Sequence, residues 1–161
     1  MKITVETSRF GSLQIEETQI LTSYGDLMGL EGLRYFTLVD EPSTRPFRWL
    51  QSVDHPWIAL PILSTKDLIF EYDIQITPED IQPIELCSVD DADIFIVATI
   101  PQVILHSHVN LRAPILLNPE KQLIRQVDLV DSGFPTKLYF FDVHPDELEP
   151  RNSVLEKINL N

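Results

Sequence analysis

The sequence predicts a mainly β protein, a small antiparallel β-barrel-like single domain with one or two short helices. Three observations carry this. Short runs with alternating apolar and polar residues follow one another at even spacing, the pattern of strands with one buried face. The run Ile94-Phe95-Ile96-Val97-Ala98-Thr99-Ile100 is apolar on both faces, as a central strand covered from both sides would be. Helix signals are few, and prolines cut them short. With 161 residues, 43% of them hydrophobic, the chain suffices for one core, so residues 1–161 are read as one domain.

In chain order, Ile3, Val5 and Thr7 pair with Leu13 and Ile15 across a turn at Arg9-Phe10-Gly11-Ser12, where Gly11 supplies a positive φ. Strands are expected at 33–40, 46–53 and 57–63. The cleanest alternation comes next, with Leu68, Phe70, Tyr72, Ile74 and Ile76 on one face and Glu71, Asp73 and Gln75 on the other. Thr77-Pro78-Glu79-Asp80 offers an N-cap hydroxyl, a proline at the first helical position and acids near the positive helix end; Pro83 keeps that helix short. Strands at 93–100, 108–118 and 122–130 follow. A second helix candidate begins at Asp146-Glu147-Leu148-Glu149, and Val154, Leu155 and Ile158 have helical spacing in the tail.

The 25 acidic residues outnumber the 12 basic ones, giving a formal charge of −13. Such a chain repels phosphate backbones and anionic lipid and is steered toward basic partners. Direct nucleic-acid and membrane binding are therefore not expected. No basic start leads into an apolar run, and no apolar span reaches about 18 residues, so a soluble cytoplasmic protein is expected. The lone Cys87 cannot form an internal disulfide and reads as a small core residue.

Several groupings suggest chemistry and fail on geometry. Ser52, Asp54 and His55 hold the components of a hydrolytic triad, but in a strand Ser52 and Asp54 share a face roughly 6.6 Å apart and His55 points away from both. His106 and His108 could begin a metal site, yet no third ligand stands at a recognised spacing. Asp90, Asp91 and Asp93 lack the glycine and terminal glutamate of a calcium loop and read as an acidic turn. Gly25, Gly29 and Gly32 match neither a dinucleotide fingerprint nor a P-loop and read as backbone punctuation. No cofactor and no metal are expected. Arg112 and Arg125 lie among apolar strand residues, where each must reach an acid or a partner; internal pairing is favoured.

Three collinear segments resemble successive motifs of the flagellar assembly factor FliW family: Phe47-Arg48-Trp49-Leu50-Gln51-Ser52-Val53, Asn110-Leu111-Arg112-Ala113-Pro114-Ile115-Leu116-Leu117-Asn118, and Gln126-Val127-Asp128-Leu129-Val130-Asp131-Ser132-Gly133-Phe134. With the first hairpin and Gly29-Leu30-Glu31, the resemblance spans about residues 1–135 and leaves 136–161 as a tail. Met28 stands where the family usually has proline, and Asp26 where it usually has glycine. The resemblance implies a non-enzymatic cytoplasmic protein, a chaperone of newly made flagellin that also binds CsrA, a translational repressor. When flagellin is scarce, such a protein sequesters CsrA and relieves repression of flagellin mRNA; antagonism away from the RNA site is the implied mode.

Trp49 reads as core. Pro114 cannot donate to a ladder, so its strand should be an edge or bulged there, with backbone left free for a partner. The partner-binding candidates are accordingly Gln51, Asn110, Arg112, Pro114, Asn118, Asp131 and Ser132, on a protein that is monomeric when alone. Two other classes compete: a hydrolase assembled by folding, with Ser52 or Ser132 beside His106 or His144, and an acidic adaptor of unrelated partners.

Overall fold

The computed structural model describes residues 1–68 and 71–139. Strands β1 (Lys2–Thr7) and β2 (Gly11–Glu16) form the first hairpin, with Ile3 opposite Ile15 and Val5 opposite Leu13. Gly11 opens β2 at φ +66°, a left-handed conformation that glycine adopts without steric cost.

Seven further strands make the barrel: β3 (Leu21–Ser23), β4 (Tyr35–Val39), β5 (Arg48–Ser52), β6 (Ala59–Ser64), β7 (Asp93–Thr99), β8 (His108–Asn118) and β9 (Leu123–Gln126). Each pairs with the next in this order, and β9 also pairs with β3, which closes the ring. A two-residue strand, β10 (Leu138–Tyr139), joins the first half of β8. The strand expected at 122–130 shortens to β9. The pairings are antiparallel except the closing one, where Thr22 and Ser23 run parallel to Leu123 and Ile124. A strictly antiparallel ring is thus corrected: β3 is too short to show any period in the sequence, and its arrival fixes the direction of the closure.

The barrel interior holds Phe36, Leu50, Ile62, Phe95, Ile115 and Ile124. On the outer wall, Leu63, Ile96, Ala98, Val109 and Leu111 form a second cluster, roofed by Leu68, Tyr72 and Phe134. This is why 94–100 is apolar on both faces: Phe95 points into the barrel while Ile96 and Ala98 point under the roof. A third cluster joins Ile81, Ile84, Leu116, Val127 and Leu129 to Ile74 and Ile76.

The segment with the cleanest alternation is not a strand of the sheet. Residues 71–77 carry no ladder, although Tyr72, Ile74 and Ile76 are half-buried and Glu71, Asp73 and Gln75 exposed; Phe70 lies outside the described residues. The segment lies side-on across the outer wall, and packing one face on apolar side chains produces the same alternation as a ladder does. Helix α1 (Pro78–Ile81) follows as expected, its Thr77 Oγ1 accepting from the Asp80 N–H while Asp80 Oδ2 accepts from the Thr77 N–H. Past it, a 3-10 turn at Gln82–Ile84 ends on Glu85 at φ +62°. Ile84 and Leu86 then turn inward and Glu85 and Cys87 outward, so Cys87 is exposed and not a core residue. The helix expected after Pro145 and the tail lie outside the described residues. Among those described, no helix is long and apolar enough to cross a membrane.

Trp49 is buried, at 5% exposure, beneath the tip of the first hairpin. Its Nε1 donates to Thr44 Oγ1 at 3.0 Å, Phe10 meets its ring edge-on at 5.8 Å, and the Arg9 guanidinium lies over the ring at 4.3 Å.

Candidate functional site

The middle motif forms a bulge. Phe95 faces Ile115 while Val97 faces Asn110, so residues 111–114 of β8 stand opposite Ile96 alone. Pro114 has no N–H for a ladder, and the bulge falls where that donor is missing. The backbone freed by this break is not available to a partner, contrary to the expectation for an edge. Asn110 Oδ1 accepts from the Arg112 and Ala113 N–H groups, at 2.9 and 3.2 Å. The Leu111 N–H donates to the Pro135 carbonyl, and the Arg112 and Pro114 carbonyls accept from the N–H groups of Leu129 and Val127. Gln126 Nε2 donates to the Ala113 carbonyl and the Tyr72 hydroxyl to that of Leu111. Burial pushes the Tyr72 phenol well above its usual range, which keeps it a donor. A buried bulge must satisfy its polar groups internally, and this one uses three side chains, those of Asn110, Gln126 and Tyr72, and the 127–135 segment to do so.

Two more of the predicted residues are buried braces. Gln51 is 0% exposed, and its Nε2 donates toward the carbonyls of Ser52, Pro56 and Ile58, holding the 52–58 turn. Asn118, at 3% exposure, donates through Nδ2 to the Ile84 carbonyl and accepts through Oδ1 from the Glu120 and Lys121 N–H groups. Pro114 is buried as well. These three present no side chain to a partner in this conformation. A buried amide is indistinguishable from a surface one in sequence, because what fixes its place is the set of carbonyls around it.

Asp131 and Ser132 line a groove, and Arg112 reaches its bank through Asp128. Arg112 Nε contacts Asp128 Oδ1 at 2.8 Å, an exposed pair that contributes about 0–1 kcal/mol and chiefly orients both side chains. Asp128, Asp131 and Ser132 line one bank of an open groove of about 510 Å³; Asp73 and Asp80 line the other, with Phe134 at its base. Val130, 59% exposed, projects beside it. Sequence inspection missed Asp73 and Asp80. The signal was the alternation itself, which placed Asp73 on the wet face of a segment whose apolar face packs on the barrel. Arg125 is paired internally, as favoured, but its Nη1 donates to the Glu79 and Asp80 carbonyls, at 2.9 and 2.8 Å, instead of to an acid.

The apparent triad is a turn. Ser52 Oγ accepts from the His55 backbone N–H, Asp54 Oδ2 accepts from the N–H groups of Arg34 and Tyr35, and the His55 ring packs edge-on against Trp57 at 4.8 Å. Ser132 Oγ donates to the Leu129 carbonyl and accepts from the Phe134 N–H. His144 lies outside the described residues. Among those described, no group of three or more His, Cys, Asp or Glu side chains is placed to hold a metal. His108 opens β8 and meets Tyr139 edge-on at 5.3 Å. Desolvation and then the Lys137 charge lower its pKa below the usual 6.5. Following the imidazole by NMR should therefore give a titration below that of a free histidine, and Lys137→Gln should raise it part of the way back; a midpoint at or above the usual value would contradict the packing described.

A family model described as "FliW protein" matches residues 4–140. The chain belongs to the FliW family. Its similarity to a flagellar assembly factor FliW of Geobacter sulfurreducens is 34% identity over 138 residues, 86% of either chain. The corresponding protein of Bdellovibrio bacteriovorus is 35% identical over 129 residues, 80% of this chain and 74% of that one. A similar protein from Geotalea uraniireducens is 32% identical over 158 residues, 98% of this chain and 93% of that one. A crystal structure of the flagellar assembly factor FliW superposes with a TM-score of 0.75 at 24% identity, covering 84% of this chain and 94% of that one; it shares the mainly β barrel fold. Where this FliW chain departs from the family pattern, the loop has its own brace. Asp26 Oδ1 accepts from the Gly32 N–H at 3.0 Å, and the Met28 N–H donates to Gln126 Oε1 at 2.7 Å, tying the loop to the bulge.

Proposed function

We propose that this protein is a non-enzymatic cytoplasmic regulator that binds newly made flagellin and, when flagellin is scarce, binds CsrA and relieves repression of flagellin mRNA. Membership of the FliW family over residues 4–140 is the observation that carries the proposal. The groove with Asp73, Asp80, Asp128 and Asp131 supports the second partner, since a protein that binds RNA must present basic surface. In this proposal Arg112, Asp131 and Ser132 make direct contacts, while Gln51, Asn110, Pro114 and Asn118 act indirectly by holding the wall in shape. CsrA is antagonised from outside its RNA site, and the free protein is a monomer.

The test is a three-component titration in which flagellin is added to a preformed complex with CsrA. Release of CsrA is the expected outcome; failure to bind either protein would overturn the proposal, and a stable ternary complex would reject exchange between them. The double substitution Asp73→Lys and Asp131→Lys, at exposed positions, should weaken CsrA binding at least about tenfold at low salt, mostly through a slower association rate. Unchanged binding would remove the groove from the CsrA interface while leaving the family assignment intact.

A further inference from the structure

Two clefts adjoin on the barrel surface. The first, about 460 Å³, is lined by Arg9, Trp49, Leu60, Pro61, Thr99 and Ile100 among others. The second, about 270 Å³, also includes Leu60 and Thr99 and continues past Met28 and Val97 to His108 and Lys137. Because Leu60 and Thr99 line both, the clefts adjoin and make a track with Arg9 in one part and Lys137 in the other.

Its charge is opposite to that of the rest of the protein. The chain has 25 acidic residues against 12 basic, yet among the described residues no carboxylate lines either cleft. The ion pairs among the described residues engage Lys2, Arg45, Lys66 and Arg112, and leave Arg9 and Lys137 without an acidic partner. On the far side of Arg9, Glu41 lines an adjoining cleft that also includes Arg9, Thr44 and Trp49, but its carboxylate accepts from the N–H and hydroxyl of Ser43 and forms no ion pair with Arg9. Packing over Trp49 positions the Arg9 guanidinium, which remains exposed to an arriving carboxylate. In the first cleft with Trp49 and Leu60, Ile100 is 42% exposed, a surface that gains by being covered.

We propose that this track docks an extended acidic peptide segment of a partner protein, with carboxylates on Arg9 and Lys137 and an apolar side chain between them against Trp49, Leu60 and Ile100. The overall negative charge opposes the approach of such a segment, so selection comes from the local pair of cations and the apolar floor. The inference does not rest on the flagellin and CsrA reading, and its test uses neither protein.

The full chain is titrated, by amide and methyl NMR, with an N-acetylated octapeptide alternating leucine and aspartate and with its counterpart alternating leucine and lysine. The aspartate peptide should shift the Trp49 indole N–H and the Leu60 and Ile100 methyl signals, and the lysine peptide should not. Combining Arg9→Gln with Lys137→Gln should weaken binding of the aspartate peptide at least about tenfold, the size expected for losing charge-assisted contacts. Lys137→Gln alone, at an exposed position, should weaken it measurably and keeps the test decisive if Arg9→Gln disturbs Trp49. Equal shifts with both peptides, or unimpaired binding by the double variant, would overturn the proposal. Shifts of the same signals with protein concentration in the absence of peptide would assign the track to a second copy and overturn it equally.

Discussion

Phe36→Ala should lower the unfolding free energy by about 4 kcal/mol, the cost of removing a buried ring together with the cavity left behind. Phe36 is 0% exposed, sits on β4 opposite Ser52 and Leu21, and packs in the barrel interior with Leu50, Ile62 and Ile115. A closed ring of strands cannot collapse inward as freely as the edge of an open sheet, which puts the effect toward the upper end for such substitutions. Thermal unfolding should fall by about 12 °C, taking about 3 °C per kcal/mol for a protein of this size. Trp57→Ala provides the contrast, because Trp57 is 65% exposed; its cost should stay within about 0.5 kcal/mol. Equal losses for the two aromatics in urea melts would contradict the placement of the core.

Asn118→Ala should cost about 3 kcal/mol, because it strands several groups at once. Asn118 Nδ2 reaches the Ile84 carbonyl at 2.8 Å and the Glu85 carbonyl at 3.3 Å, and its Oδ1 holds two N–H groups of the turn into β9. One side chain thus fastens the end of β8 to the 3-10 turn after α1. Asn118→Asp separates the two halves of this role. The acceptor contacts survive, but a carboxylate oxygen then faces two carbonyl oxygens, which raises the pKa of the introduced carboxyl in the folded state above its unfolded value. The folded form of that variant therefore binds more protons than the unfolded form across the interval between those values. Its stability should rise as the pH is lowered from the folded pKa toward the ordinary carboxyl value of about 4. Urea midpoints that do not climb on acidification, relative to the unmodified chain, would rule this account out.

The parts of the fold legible in sequence were those whose period is set by burial on one or both faces. The hairpin register from Ile3 to Ile15 and the two-faced strand at Ile94 to Thr99 are of this kind. Tyr72, Ile74 and Ile76 show the limit: their alternation reports which side chains are covered, and it is the same whether the backbone is in a ladder or lies across one. Leu21–Ser23 shows another, since three residues carry no period at all. At the candidate site, Asp131 and Ser132 were among the partner-binding candidates read from the sequence. Asp73 and Asp80 were not, because only folding sets the 71–80 segment beside the 128–134 loop. Gln51 and Asn118 looked like surface amides, since nothing local in the chain distinguishes an amide that will meet water from one that will meet carbonyls.

The parallel closure of β3 on β9 joins Thr22 to Leu123 and Ser23 to Ile124, with nearly all the barrel sequence between them. During synthesis on the ribosome, β3 therefore waits with an unpaired edge until the last barrel strand has emerged. Contacts of such long sequence separation slow folding, because loop-closure entropy is spent before the contact forms. The nascent chain is an open sheet with two sticky edges for most of its own translation, and only the arrival of β9 removes them.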